Sequence, residues 1–333
     1  MNQEIKMNAR ISIVAPLYNE KDNVEPLVER IVSAMKMADE AWELILVDDG
    51  SSDGTNEQLN LTAQKYGDYV RVVELARNFK QTAAMQAGID AARGDVIVTL
   101  DGDLQNDPSD IPRMVKRLLT ENLDLVAGWR QNRKDGYWLR KFPSKIANKL
   151  IARMTGVVLN DYGCSLKVFR ASVIKQVRLY GEMHRFIPAW LVTVTSSRRI
   201  AEEVVQHHPR IHGESKYGIS RTFRVLLDLF FVYFFMKFRA RPGHFFGGTG
   251  LMLLALGGAI FSYLCGLKFI FSEDIGGRPL LTTSFFLMIA GFQMITTGIL
   301  AEVLVRVMFE SGQNKSYVVR NLPEVSDEMG WKK

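Results

Sequence analysis

Two acidic runs carry the strongest chemical signal in this chain. Asp48 and Asp49 open the run Asp48-Asp49-Gly50-Ser51-Ser52-Asp53, and Asp101-Gly102-Asp103 forms a second. Each follows an apolar stretch. Two carboxylates separated by one residue can reach a single hard cation, Mg2+ or Mn2+, which takes oxygen ligands and commonly keeps phosphate oxygens in its shell. Taken alone, the first run is also an ordinary turn leading to a helix cap, because Asp, Ser and Gly are turn residues. The second, taken alone, is a short pattern that arises by chance. At the ends of successive buried strands the two together fit a site for a nucleoside diphosphate and its metal. Other chemistries lack their signatures. No Gly-x-Gly-x-x-Gly follows a strand, which disfavours a dinucleotide dehydrogenase, and no Gly-x-x-x-x-Gly-Lys-Ser/Thr is present. His184, His207, His208, His212 and His244 show no zinc spacing.

The elements that must position these groups alternate. Apolar runs predict strands over 11–16, 43–50, 70–75 and 95–103, and a further strand-like run, 123–129, precedes Arg130. Helical spacing covers 24–38, 55–66 and 81–92, with Ser52 or Asp53 as N-cap of the second. Near-continuous apolar strands with helical crossovers predict a parallel sheet covered on both faces. Ligands then lie beyond the carboxyl ends of the strands, where this chain places Pro16 to Glu20, Asp48 to Ser51 and Asp101 to Asp103.

From about residue 222 the composition changes. Runs at about 245–271 and 280–307 each supply the ~20 apolar residues that cross a bilayer. The stretch 222–238 is short and interrupted by Arg224, Asp228 and Lys237, which suits a helix lying on the membrane better than a third span. Arg239 and Arg241 precede the first span and Arg306 and Lys315 follow the second, so both termini and the large N-terminal part are expected in the cytoplasm, at the inner membrane. The N-terminus reads as free of a signal peptide. The expected division is a catalytic domain over 1–221, an interfacial helix and hinge over 222–243, a two-helix membrane domain over 244–310 and a tail over 311–333. Of 333 residues 47% are hydrophobic and 23% charged, which excludes both a disordered chain and a wholly membrane-embedded one. The net charge of +6 suits a phosphate-bearing partner or an anionic membrane face, and nothing marks a nucleic-acid partner. Two cysteines, Cys164 and Cys265, are too few for a disulfide scaffold and fit a reducing compartment.

Pro16 to Glu20, Val47 to Asp53, Arg77-Asn78-Phe79 and Leu100 to Pro108 together resemble the pattern of glycosyltransferase family 2, with its GT-A fold. Two C-terminal spans make the chain similar to the polyprenyl-phosphate glycosyltransferases, the group of dolichol-phosphate mannose synthase. Arg130 to Arg133, Arg140 to Lys145, Asp161 to Cys164, Phe186 to Pro188 and Gly213 to Tyr217 carry a closer resemblance to the undecaprenyl-phosphate 4-deoxy-4-formamido-L-arabinose transferases. The resemblance implies an α/β, Rossmann-like GT-A domain with a mostly parallel sheet, an interfacial helix and two transmembrane helices. It implies inverting transfer of a sugar from a nucleotide-sugar, UDP-linked in preference to GDP-linked, to undecaprenyl or another polyprenyl phosphate, for cell-envelope glycan or lipid A modification. Asp49 would meet the base, with Pro16, Tyr18 and Glu20 lining the base and ribose pocket and Asp48 and Arg77 beside it. Asp101 and Asp103 would hold the metal and diphosphate, next to Gln105. Arg130 and Arg140 would face the acceptor phosphate, and Lys216 would touch phosphate from a closing segment. Two departures stand out. Gly102 occupies a place where Ala is usual, and Cys164 stands where many relatives carry Asp, which leaves Asp161 as the nearest acid for a catalytic base.

A phosphomonoester is already largely dianionic near neutral pH, its second pKa being about 6. It needs orientation and charge compensation more than a base. Arg130, Arg140, Lys145, Arg210 and Lys216 are the candidate cations, Arg being favoured for planar bidentate contact. The segment 137–154 sets Arg140, Lys145, Lys149 and Arg153 beside apolar residues, as in a surface helix that grips anionic lipid heads or as in a solvated basic face. A processive polysaccharide synthase would carry more spans and a Gln-x-x-Arg-Trp segment, and neither is found. A dead scaffold subunit would carry broken acidic runs, yet Asp48, Asp49, Asp101 and Asp103 are intact. The sequence is compatible with a homo-oligomer and does not decide it.

Overall fold

The computed structural model describes residues 10–36, 38, 40–131, 151–153, 155–209, 233–234, 237–238 and 241–311. The chain divides into two compact units, Met1–Tyr233 and Phe234–Lys333. Most of the expected interfacial helix and nearly all of the basic segment 137–154 lie outside the described residues. So do Arg140, Lys145, Arg210 and Lys216.

In the first unit, β1 (Ile11–Leu17), α1 (Lys21–Met35), β2 (Trp42–Asp48), α2 (Thr55–Tyr66), β3 (Val70–Glu74), α3 (Gln81–Ala91) and β4 (Val96–Thr99) alternate as the hydrophobic spacing predicts. Then follow α4 (Ile111–Thr120), β5 (Leu125–Trp129), β6 (Lys167–Arg170), the short helices α5 (Ala171–Ile174) and α6 (Ile187–Leu191), and β7 (Ile200–Val204). The sheet has seven strands in the order β3-β2-β1-β4-β6-β5-β7. It is parallel from β3 to β4 and between β5 and β7, and only β6 runs antiparallel, between β4 and β5, so the sheet is mostly parallel as expected, with one reversed strand. The order turns at β1, flanked by β2 and β4, and the acidic runs leave the carboxyl ends of those two neighbours. β1 and the distal part of β2 are wholly buried, so their apolar runs are covered on both faces. One local expectation is corrected. The N-cap of α2 is Gly54, with a left-handed φ of 90°, while the Asp53 carboxylate accepts the Thr55 N–H at 3.0 Å from one position further out.

The second unit contains α7 (Pro242–Ile270) and α8 (Pro279–Ser311). Both are long and apolar enough to cross a membrane, with mean hydropathies of 1.9 and 1.7, and most of each span faces outward rather than into protein. Their contact is built on small residues seven apart. A Cβ at Gly250 would lie 2.7 Å from the Gly291 carbonyl oxygen, one at Gly257 would lie 2.9 Å from that of Ser284, and one at Gly298 would lie 3.1 Å from the Phe246 Cβ. Only glycine lets backbones approach this closely, which is how helices pack where water gives no driving force. The Phe234 ring meets Phe245 edge-on at 5.4 Å, and the Phe238 ring meets it tilted at 5.0 Å, at the start of α7.

Candidate active site

The β1–α1 and β2–α2 turns are stitched together by side chains. Ser51 Oγ accepts the Asn19 N–H, Asn19 Oδ1 accepts the Ser52 N–H, and Thr55 Oγ1 accepts the Glu20 N–H, at 3.0, 2.9 and 3.0 Å. Asn19 takes a left-handed φ of 53° to allow this. Asp48 ends β2 and holds the turn that follows it. One of its oxygens accepts the Ser51 N–H at 3.1 Å and the other accepts the Asn56 amide at 3.2 Å. Asp49, 3% exposed, accepts the Phe79 N–H at 2.7 Å. Burial raises its pKa, against the Phe79 and Lys80 backbone bonds that favour the charged form. That bond ties the end of β2 to the loop carrying Arg77, whose guanidinium lies over the Phe79 ring at 4.5 Å. Gly50 is required at this crossing, because its φ is +66° and a Cβ would lie 2.4 Å from the Arg77 carbonyl carbon. Pro16 is buried one residue before the end of β1, while Tyr18, just past that end, is 38% exposed. Glu20 accepts the Asn23 side-chain amide at the start of α1. The proposed nucleotide pocket is therefore braced as one body before any ligand arrives.

Asp101 and Asp103 follow β4. Asp101 accepts the Gln81 amide, offered from the first residue of α3, at 2.7 Å. Asp103 is 8% exposed and accepts the Gln105 N–H at 3.2 Å. The chain leaves Asp103 through Leu104, a buried residue with φ of 61°. Strained backbone of this kind costs of order 1–3 kcal/mol and collects at functional loops. Burial, then the Asp103 charge, push the Asp101 carboxyl up to about 6, against the Ser165 hydroxyl and the Lys167 and Arg130 cations. Two desolvated oxygen donors of like charge are a poor resting arrangement and a good one for a divalent cation. Among the described residues no cluster of three or more His, Cys, Asp or Glu side chains could enclose a metal. Asp101 and Asp103 would offer two ligands, and the rest of a metal's shell would come from elsewhere, which fits diphosphate oxygens. Gly102 is matched to its neighbour rather than a neutral exchange for Ala, since a Cβ there would lie 2.8 Å from Leu17 Cγ.

Arg130 leaves β5 and meets Asp161 side-on, with Nε–Oδ2 2.7 Å and Nη2–Oδ1 3.0 Å, and both side chains are 13% exposed. Burial opposes the guanidinium charge, but the Asp161 carboxylate outweighs it and raises the Arg130 pKa. Asp161 is held in turn. Glu202 on β7 accepts the Asn160 N–H at 2.9 Å, the Asn160 amide at 2.7 Å and the Asp161 N–H at 2.7 Å. Asp161 is thus occupied as the partner of Arg130. Cys164 does not replace the missing acid, because burial pushes its thiol up to about 11 and keeps it neutral. Reading the sequence missed Gln81, Glu202 and Lys167.

The comparisons agree with this architecture. A family model, "Glycosyl transferase family 2", matches residues 12–178. A dodecaprenyl-phosphate galacturonate synthase of Rhizobium johnstonii is 58% identical over 94% of this chain and 92% of its own length. An undecaprenyl-phosphate 4-deoxy-4-formamido-L-arabinose transferase of Pseudomonas paraeruginosa is 36% identical over 89% of this chain and 85% of its own. Among solved structures, glucosyl-3-phosphoglycerate synthase of Mycobacterium tuberculosis, in complex with Mg2+ and UDP, shares the fold with a TM-score of 0.52 and 20% identity, over 67% of this chain and 80% of that one.

Proposed function

The chain belongs to glycosyl transferase family 2, and from that premise we propose that it transfers a hexuronic acid from a UDP-sugar to a polyprenyl phosphate in the bacterial inner membrane. The observation that carries the reading is the 58% identity to a polyprenyl-phosphate galacturonate synthase, which extends through both apolar helices as well as the acidic loops. The more distant arabinose-type transferases share the lipid-phosphate acceptor and differ in the sugar they name, so the acceptor is the firmer half of the proposal.

In this reading Asp49 and Arg77 frame the nucleoside, with Pro16, Tyr18 and Glu20 along the pocket wall and Asp48 holding the turn in shape. Asp101 and Asp103 would hold Mg2+ or Mn2+, with Gln105 beside them and Gln81 fixing the Asp101 rotamer. When bound, the metal supplies neutralisation of the charge that develops on the departing nucleoside diphosphate. Arg130 orients the acceptor phosphate. Asp161 spends two of the five guanidinium N–H donors and leaves the others for phosphate oxygens. Asp161 acts as a positioning residue, since a phosphate dianion needs no proton removed before it attacks. In-line attack on the anomeric carbon inverts it. Arg140, Lys145, Arg210 and Lys216 are further candidates for the same phosphate. The catalytic domain over 1–221 would face the cytoplasm, with the interfacial helix over 222–243 and the membrane pair over 244–310 holding it at the lipid surface. Membranes containing the protein, given undecaprenyl phosphate and a panel of UDP- and GDP-sugars, test the sugar. UDP-galacturonate should give the main glycolipid by mass spectrometry, and turnover confined to a neutral or amino sugar would overturn the uronic acid assignment.

A further inference from the structure

Lys167 is a buried cation that none of the roles above uses. It opens β6, the strand inserted antiparallel into the sheet, opposite Thr99 of β4 on one side and Ala127 of β5 on the other. Thr99 lies two residues before Asp101, and Ala127 three before Arg130, so this rung sits directly beneath both halves of the site. The side chain is 2% exposed. Its ammonium donates to the Cys164 carbonyl, and among the described residues that is its one hydrogen bond and it has no carboxylate at ion-pairing distance. An ammonium has three N–H donors. A charge this buried and this sparsely bonded is costly unless the surrounding field favours it. Burial does lower its pKa and Arg130 adds to that, while Cys164, Asp161 and Asp101 favour the charged form. With the Cys164 thiol neutral, the favourable field comes from the Asp161 and Asp101 carboxylates, and Asp101 belongs to the acidic site.

We infer that Lys167 is the fixed countercharge of the donor site, a positioning residue whose ammonium lies beneath the Asp101–Asp103 pair and exchanges metal affinity for diphosphate affinity. The inference rests on the reading of that pair as a metal–diphosphate site. The electrostatics has opposite signs for the two ligands. A lone divalent cation approaching two carboxylates is repelled by a third, positive charge behind them. Once the cation has cancelled the carboxylates, an incoming diphosphate is attracted by that same charge. A countercharge built into the sheet is shielded from salt and does not depart with product. A lysine that merely tied down the Cys164 carbonyl would shift both affinities in the same direction.

The test uses the full chain in lipid nanodiscs and two binding measurements by calorimetry, Mn2+ alone and then UDP at saturating Mn2+. Lys167→Gln keeps a donor for the Cys164 carbonyl and removes the charge. It should bind Mn2+ roughly threefold to tenfold more tightly and UDP at least about tenfold more weakly, a Coulombic effect at the intermediate effective dielectric of protein sites. Lys167→Arg, which keeps the charge, should return both constants to near wild type. Lys167→Met, which loses the hydrogen bond as well, should repeat the opposed shifts of the Gln variant. Parallel weakening of both ligands, or no change in either, overturns the inference. If the wild-type chain binds neither Mn2+ nor UDP, the metal–diphosphate reading fails first, and the two failures are told apart by that control.

Discussion

Asp101, held up to about 6 by burial and by Asp103, would make the proposed metal site sensitive to pH. A raised carboxyl pKa means that the folded state keeps its proton longer than the unfolded chain does. This group's favourable contribution to stability is therefore present at low pH and lost as pH rises through about 6, in the metal-free protein. A cation must displace that proton, so Mn2+ affinity should fall as pH drops below about 6. Calorimetry from pH 5 to 7.5 should show the loss, and Asp101→Asn should abolish the trend along with most of the binding. At Arg130 the fork geometry matters as well as the charge. Arg130→Lys keeps a cation but cannot meet Asp161 side-on and a phosphate together. Acceptor use should weaken by about 1.5–3 kcal/mol, the range of a charge-assisted hydrogen bond, while calorimetry of UDP stays near wild type. Equal loss on both ligands would make Arg130 a structural brace and move the acceptor role to the other basic candidates.

Among the elements, those that the sequence marks clearly are those whose local pattern and burial agree. β1, β2 and β4 are legible because strands buried on both faces read as apolar runs, and α2 is legible from its helical spacing after a turn-forming run, although its cap is Gly54 and not Ser52 or Asp53. The acidic ends of β2 and β4 follow from the same pattern, since ligand loops lie past the carboxyl ends of such strands. β6 is not legible. It has four residues, and nothing within them shows that the strand enters antiparallel between β4 and β5. Lys167, Asp161 and Glu202 take their roles from that insertion and from pairings between distant segments, so no spacing rule finds them. Helix α7 was visible as a span, but its partner face was not, because its glycines look alike in sequence. The structure separates them. A Cβ at Gly250 would lie 2.7 Å from the Gly291 carbonyl oxygen, whereas Gly258 has nothing within 4 Å. Gly250→Leu should therefore destabilise the helix pair by about 1–3 kcal/mol, the cost of overpacking, and Gly258→Leu should cost little. Thermal unfolding in one detergent compares the two, and equal effects would contradict the packing described.

The whole molecule is a soluble-type sheet domain joined to two helices long and apolar enough to cross a membrane. The positive flanks on both spans, with Glu273 and Asp274 in the loop between them, lead to the expectation that the loop is outside and both termini inside. In a Cys265→Ser background, Gly277→Cys in the exposed loop should react with an impermeant thiol reagent in intact cells. Ser326→Cys should react only after lysis, and the reverse pattern would put the catalytic unit on the wrong side for a cytoplasmic donor. In the proposed function the acidic site passes a sugar to a lipid phosphate. The direct measurement is radiolabel transfer from UDP-galacturonate, by the purified full chain in nanodiscs with Mn2+, into the butanol-extractable fraction, with and without undecaprenyl phosphate. The account predicts labelled glycolipid only when the lipid phosphate is present, and its near-complete loss in Asp103→Asn with an unchanged unfolding midpoint. Label released as free sugar independently of the lipid, or full transfer by Asp103→Asn, would contradict it.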